Sequence, residues 1–503
     1  MSNTDFCSPD VIVVGAGNAA SCAALATREK GAKVIMLEAS PQLVCGGNTR
    51  FTGGGFRFPF SGLDDLVQLM PELTEEEKQV LDFGVYTAEQ YFDDMGRTTN
   101  YRTDPDLCEI LVTRSFETML WLRGKGVKFE PTYQHTFKID GKFRFWGGLA
   151  CVMWGGGPGL LELEHKACER AGVRIFYETA AVGLLMDGQG RVCGVKAESR
   201  GKPVEIRAPA VILACGGFES SAEMRARYLG PGWDLAKVRG TRFNTGAGIR
   251  MALDAGAMPF GHYSGCHAVP WDLNAPLFGD LAVGDQFQKH SYPFCIMVNA
   301  RGERFVDEGA DIRIYTYAKY GGAIMSQPDL FAWQIFDGKF IPMLRPEYRI
   351  KQVTKVRAET LEELVKKLDG VDADACLREI HAFNRAVQTE APFNPAIKDG
   401  RCTTGLKVPK SNWAHRIDTP PFEAYAVTCG VTFTFGGIKI TRESEVEHVA
   451  GRPIPGLFAA GELVGGLFYH NYPAGSGLMA GSVFGRIAGR SAAAYVQSSG
   501  KAT

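Results

Sequence analysis

Val11-Ile12-Val13-Val14-Gly15-Ala16-Gly17-Asn18-Ala19-Ala20 is the stretch that decides the fold. Its four leading apolar residues read as a buried strand, and the pattern GxGxxA follows at once. A helical stretch from Ala19 to Lys30 comes next, then a second apolar run, Val34 to Leu37, ending at Glu38. Strand, tight turn, helix, strand and acid, in that order, form a dinucleotide clamp. Gly15 permits the sharp turn out of the strand, and Gly17 lets the backbone approach a pyrophosphate. Ala20 lets the helix pack tightly on the sheet. The helix N-terminus offers unpaired N–H groups and partial positive charge to the phosphates. Glu38 lies 21 residues after Gly17, where a ribose-binding acid belongs.

The chain has 503 residues, enough for two to three domain-sized units. A net charge of -1 gives no general attraction to nucleic acid or anionic membrane. No run approaches the length of an apolar membrane span, and Met1 to Asp10 lacks the pattern of a secretory signal. The 13 cysteines are scattered and lack a CxxC pair, which points to reduced thiols in a cytoplasmic protein and away from a zinc or iron–sulfur site.

Further along, Gly46–Gly55 is glycine-rich and an acidic helical region runs from about Leu63 to Gly126. A second glycine loop, Trp154–Gly159, precedes a helix ending near Gly172, and Val173 to Tyr177 is a short strand. Gly183–Met186 and Val192–Ala197 flank a turn and predict an antiparallel hairpin. Val211–Ala214 returns the chain to the parallel sheet, and Thr245–Ile249 opens a helix that ends at Ala255-Gly256. From about Gly261 to His415 aromatics and prolines become frequent and the βα rhythm fades. After Pro420-Pro421 the first style returns, with the strand Leu457–Ala460 and a last helix from about Ser476 to Val496. The expectation is an α/β fold: a Rossmann-like dinucleotide domain (1–260 and 416–503) with an inserted α+β capping domain (261–415).

Taken together, Val11–Ala20, Gly46–Gly55, Leu213–Phe218, Thr245–Ile249, Asn299–Glu308, Gly436–Ile440 and Gly456–Gly489 resemble the flavoprotein family of fumarate reductases, 3-ketosteroid dehydrogenases and tricarballylate dehydrogenase. Within it, Gly17–Ala20, Arg304–Asp311 and His470–Pro473 are most similar to the tricarballylate dehydrogenase branch. The resemblance implies FAD rather than NAD. It assigns Asn48, Thr49, Thr52, Gly53 and Gly54 to the flavin and pyrophosphate, with Gly47 beside them. The Ala181-Val182 backbone meets the adenine, and Glu462 takes the ribityl chain. Ser476-Gly477-Leu478 sets a helix N-terminus against the flavin N1–C2=O edge, where reduced flavin carries negative charge. Asn18, Ala19, Ala39, Ala214, Gly216 and Gly461 complete the cofactor set. Some relatives attach FAD through a histidine in the first glycine loop. Asn48 stands at that position here, which implies dissociable FAD.

Oxidising CH–CH to C=C also needs a proton acceptor. In fumarate reductases an arginine shortly after an RF(N/D)E motif handles the proton. Arg304–Glu308 matches that motif, and Arg313 falls within one residue of the expected place. Guanidinium rarely gives up its proton, so a relay through Asp311, Tyr315, Tyr317 or Glu308 is expected. Ketosteroid dehydrogenases use tyrosines, which makes Tyr317 the second candidate. His267 stands about where a carboxylate-binding histidine belongs. Two fumarate anchors are absent: Phe433 replaces a histidine beside Thr434, and His470–Gly475 holds no arginine. Thr434, His470 and Tyr472 are the remaining candidates for substrate contact.

These readings predict desaturation of a carboxylic acid of tricarballylate type. Rival readings are a reductase of an activated C=C bond, a ketosteroid-type dehydrogenase, a non-catalytic flavin electron carrier and an NAD-linked enzyme. No haem or iron–sulfur spacing occurs, so electrons pass to a separate acceptor: a redox protein, a quinone-linked protein or oxygen. No metal site is expected.

Overall fold

The strand Val11–Val14 lies inside a six-stranded sheet ordered Glu445–Glu447, Pro453–Ala459, Ala210–Leu213, Val11–Val14, Val34–Leu37 and Arg174–Phe176. All neighbours pair in parallel except the edge strand Glu445–Glu447. Every residue of the three strands beginning at Val11, Val34 and Ala210 is buried, which is why each is an unbroken apolar run. In register, Val14 faces both Leu37 and Leu213. Gly15, Glu38 and Ala214 therefore leave the sheet side by side, at the carboxyl edge where the strand order reverses and α/β sheets bind ligands.

The computed structural model describes residues 6, 8–133, 136–145 and 147–499. They form two compact units. The first comprises the described residues up to Gly230, Gly240–Cys266 and those from Phe433 on; the second comprises Pro231–Arg239 and His267–Thr432.

In the first unit the helix Asn18–Glu29 follows the clamp, and the last helix, Ser476–Ser499, packs along it. Gly481, Gly485 and Gly489, four residues apart, make that approach possible. A Cβ on Gly485 would lie 2.5 Å from the Ala19 carbonyl oxygen, and one on Gly489 would overlap that of Ala23. The expected hairpin is the first part of a three-stranded antiparallel sheet, Thr179–Met186, Val192–Ser199 and Lys202–Arg207. Its third strand alternates polar and apolar residues too weakly for the sequence to announce it.

The second unit is built on a mixed sheet containing Ile296–Val298, Ala332–Phe336, Lys355–Ala358 and the first part of Phe422–Ile438. Trp333, Ile335, Leu364, Ile380, Phe383 and Ala424 form its core, with helices Leu361–Lys366 and Ala373–Ala386 closing over the sheet. No helix among the described residues is long and apolar enough to cross a membrane.

Candidate active site

Gly15 has φ +113°, and a Cβ there would overlap the Ala214 carbonyl oxygen, so only glycine makes this turn. Asn18 ties three segments together. Its N–H donates to Thr49 Oγ1 at 3.1 Å, and its Nδ2 donates to the Leu478 carbonyl at 2.9 Å. Ser482 Oγ donates to Asn18 Oδ1 at 3.0 Å. The clamp, the first glycine loop and the last helix thus converge at one point. Glu38 is buried, its Oε1 accepts the Ser40 N–H at 2.9 Å, and burial raises its pKa. Ala39 beside it is exposed, while the neighbouring Ser40 fixes the carboxyl. Between Ala181↔Ala197 and Gly183↔Lys196 the ladder skips Val182, leaving its backbone out of register at a bulge.

The glycine loop leads into a pair of carboxyls. Glu219 Oε1 accepts Nδ2 of Asn48 at 2.7 Å and Nδ2 of Asn244 at 2.6 Å. Asn48 Oδ1 in turn accepts the Thr241 N–H at 2.9 Å. Glu462 Oε1 accepts the Thr434 N–H at 2.9 Å and its hydroxyl at 3.3 Å. Gly216-Gly217 makes room for both. A Cβ on Gly216 would overlap the Asn244 amide, and one on Gly217 would overlap Glu462 Oε1 and Thr434 Oγ1. Burial raises the pKa of Glu219 and of Glu462, and each acts on the other. Thr434 is buried and engaged with Glu462 and with the Phe218 N–H at 3.3 Å.

The N-terminus of the last helix is clamped from one side. Tyr91 Oη donates to Ser476 Oγ at 3.0 Å, and Arg57 Nε donates to the Ala474 carbonyl at 2.8 Å. Gly477 faces aromatic rings: a Cβ there would lie 3.7 Å from Phe433 and 3.8 Å from Tyr472. Tyr472 meets Phe433 edge-on with centroids 5.1 Å apart, and Phe468 at 5.4 Å. His470 is exposed, sits at φ +62°, and its N–H donates to His262 Nδ1 at 3.0 Å.

In the second unit, the Tyr317 ring stands edge-on to two imidazoles, His267 at 4.9 Å and His290 at 5.1 Å. The Arg313 guanidinium lies 6.0 Å from the Tyr317 centroid. His290 Nε2 is buried with no hydrogen-bond partner among the described residues. Burial first, and then Arg239 beside His267 and Arg313 beside His290, hold both imidazoles well below the usual histidine range. Burial, with Arg345 nearby, pushes Arg313 down to about 10. Arg239 forms a bidentate pair with Asp285 at 2.6 and 2.7 Å, and Arg345 pairs with Glu347 at 2.6 Å. Glu308 is not placed for a relay. It is fully buried, paired with Arg304 at 2.6 and 3.1 Å, and accepts the Met297 N–H at 2.8 Å. The RF(N/D)E-like stretch is a strut, with Arg304 also donating to the Val408 carbonyl at 2.7 Å.

A model of the FAD binding domain family matches residues 10–478. The chain belongs to that family. It is 27% identical to a fumarate reductase (cytochrome) of Shewanella frigidimarina, over 97% of this chain and 77% of that protein. It is 26% identical to a vinyl phenol reductase of Lactiplantibacillus plantarum, over 97% of each. Among solved structures it is similar to a 3-ketosteroid-delta4-(5alpha)-dehydrogenase of Rhodococcus jostii, with a TM-score of 0.70, 25% identity and 98% of both chains covered. The chain is an FAD-dependent oxidoreductase of the class acting on CH–CH and C=C bonds.

The residues of the first unit fit FAD. A Cβ on Gly53 would meet nothing within 4 Å, and one on Gly47 would meet only Asn244 Oδ1 at 3.6 Å, so this loop borders open volume. The bulge at Val182 leaves backbone groups out of the ladder, where they would be open to an adenine edge. Glu219 Oε2 is buried and accepts from no N–H or neutral O–H group among the described residues, with the Glu462 carboxyl its neighbour. Thr49, Thr52, Gly54, Ala181, Gly461 and Ser476 all lie in the first unit with the clamp, whereas Arg313, Tyr317 and His267 lie in the second. Sequence reasoning missed Glu219, Asn244, Arg57 and His290. Glu219 follows the glycine pair directly after Phe218 and had a positional signal; His290, between a lysine and a serine, had none.

Proposed function

We propose that this oxidoreductase removes hydrogen across a CH–CH bond beside a carboxylate, desaturating a carboxylic acid of tricarballylate type. The observation that carries the reading is the buried cluster around Tyr317, in which Arg313, lowered by burial and by nearby Arg345, lies alongside the neutral imidazoles of His267 and His290. Such a cluster of cationic and polar groups favours an anion. FAD, when bound, supplies the hydride acceptor. Arg313 takes the proton from the neighbouring carbon, and its lowered pKa brings a free base within reach. Tyr317, edge-on to both imidazoles, is the second candidate for that transfer. Electrons leave to a separate redox protein, a quinone-linked protein or oxygen. The twelve cysteines described are all free thiols, in keeping with a cytoplasmic setting.

A second reading rests on the aromatic rings near Gly477. Phe433, Phe468 and Tyr472 suit an unsaturated ring better than a compact polyanion, and a vinyl phenol reductase and a ketosteroid dehydrogenase are among the similar proteins. The deciding experiment is anaerobic flavin bleaching and turnover with an artificial acceptor. The panel holds tricarballylate, other polycarboxylates, aryl-alkene acids and steroid enones, each assayed in both directions. Bleaching by polycarboxylates supports the first reading; bleaching by ring enones alone replaces it with the second.

A further inference from the structure

Two acidic side chains, Glu219 and Glu462, meet beside Gly216-Gly217 in the first unit. Glu219 is fully buried, while Glu462 remains partly exposed. Glu219 Oε1 is filled by the amides of Asn48 and Asn244. Its Oε2 finds no N–H or O–H donor among the described residues, yet the two carboxyls lie within hydrogen-bonding reach of each other. No ion pair to either carboxyl occurs among the described residues. The ionisable groups facing the pair do not neutralise it. Arg225 donates from its guanidinium to the Glu219 backbone carbonyl. The Cys215 and Cys266 thiols are held neutral by burial. Two carboxylates in contact without a cation repel, so one of them keeps a proton.

We propose that Glu219 is a positioning residue of the FAD site that shares one proton with Glu462, so that FAD binding and proton retention are coupled. The coupling has a physical route. Glu219 holds Asn48 and Asn244 against the glycine loop, and Glu462 is the partly exposed member of the pair. FAD settling against Glu462 removes it from water, which strengthens the hold on the shared proton. By linkage, a protein that retains the proton more tightly with FAD bound binds FAD more weakly once the free pair has lost it. The inference rests on FAD as cofactor and not on any choice of substrate.

The test is the FAD dissociation constant, measured by equilibrium dialysis and flavin fluorescence from about pH 6 to about pH 9. For the wild type, affinity should fall with rising pH by up to about tenfold per unit over part of that range. Glu219→Gln keeps an acceptor for the two asparagines and gives Glu462 an N–H donor. It should flatten the profile while leaving affinity near pH 6 within a few-fold of wild type. A purely structural role would instead weaken binding equally at every pH and leave the slope unchanged. Glu462→Gln provides a second flattening variant should Glu219→Gln fold poorly. Infrared spectra of the holoprotein should also show the C=O stretch of a protonated buried carboxyl that Glu219→Gln lacks. A flat wild-type profile, or an unchanged slope in both variants, overturns the proposal.

Discussion

Arg57 and Asp94 form a buried ion pair at 2.9 Å whose purpose is legible from what else the arginine holds. The Arg57 side chain is 0% exposed, and it also donates to the Tyr86 hydroxyl at 2.8 Å and to the carbonyls of Gly147 at 2.9 Å and Ala474 at 2.8 Å. Ala474 precedes Gly475, where φ is +87° and a Cβ would lie 2.8 Å from the Arg57 N. Asp94 and Tyr91 come from one turn of the same helix, and Tyr91 holds Ser476. The start of the last helix is thus fixed by a single face of the helix Ala88–Thr98. Replacing Arg57 by Ala removes these bonds while Asp94 keeps Arg97 at 2.9 Å and the Tyr86 hydroxyl at 2.7 Å, a loss of about 3 kcal/mol. Urea unfolding should show it, together with reduced FAD retention on gel filtration.

The glycine seam of the last helix gives a sharper contrast. Gly485→Val drives a side chain into the Ala19 carbonyl oxygen, 2.5 Å from the would-be Cβ. Backbone cannot give way as a flexible side chain does, so a loss of about 2–3 kcal/mol or more is expected. Gly477→Ala, whose Cβ would rest 3.7 Å from Phe433, should change stability by less than about 1 kcal/mol. Equal losses in the two variants would mean that the seam does not set the helix spacing.

How the chain advertises these features follows from how local they are. The clamp was legible because turn, strand and helix lie within one short stretch, each with its own residue requirement. The two long strands Pro259–Asp272 and Phe422–Ile438 were not. The change in composition falls at 261 and 415, but the compact units part within those strands, at 266/267 and 432/433. A strand that runs on through a boundary makes no turn there for the sequence to mark. The carboxyl pair was half legible. Glu462 stands in a recognisable motif, but Glu219 acquires its meaning only from Asn48, Asn244 and Glu462, which are 171, 25 and more than two hundred residues away. His290 is the extreme case, since its neighbours Tyr317 and Arg313 are brought to it solely by packing.

Asn48 bears on how the flavin is held. Its amide is engaged by Glu219 and Thr241 and offers no ring nitrogen for a covalent bond. Acid precipitation of the holoprotein should leave all the yellow flavin in the supernatant, read by absorbance. Flavin in the washed pellet would mean that another residue carries it covalently.

The buried imidazoles set the acid limit of the second unit. His267, His290 and His415 are all held well below the usual histidine range, chiefly by burial. Unfolding lets each return to about 6.5. The unfolded chain then binds more protons than the folded one, so stability rises with pH in this window. It is fully present above about pH 6.5 and is lost below it, by up to about 1.4 kcal/mol per unit for each histidine. Thermal unfolding at about pH 7.5 and pH 5.5 should show the drop, and His290→Gln should reduce its size. A melting temperature indifferent to acid in this window would mean that these rings are not buried in solution.

Arg313 gives the kinetic signature. Its guanidinium, pushed down to about 10 by burial and by Arg345, is still protonated at neutral pH. If Arg313 accepts the substrate proton, the reactive fraction grows about tenfold per pH unit below that value. Desaturation kcat should then climb between about pH 7 and pH 10, whereas the reverse reduction, which needs the protonated form, should stay flat there. Arg313→Ala should cost about 10²–10⁴ in kcat in both directions with FAD content unchanged, and should abolish the climb. Tyr317→Phe separates the two candidates. If it removes the pH dependence while Arg313→Ala preserves it, the tyrosine carries the proton and the arginine only holds the anion.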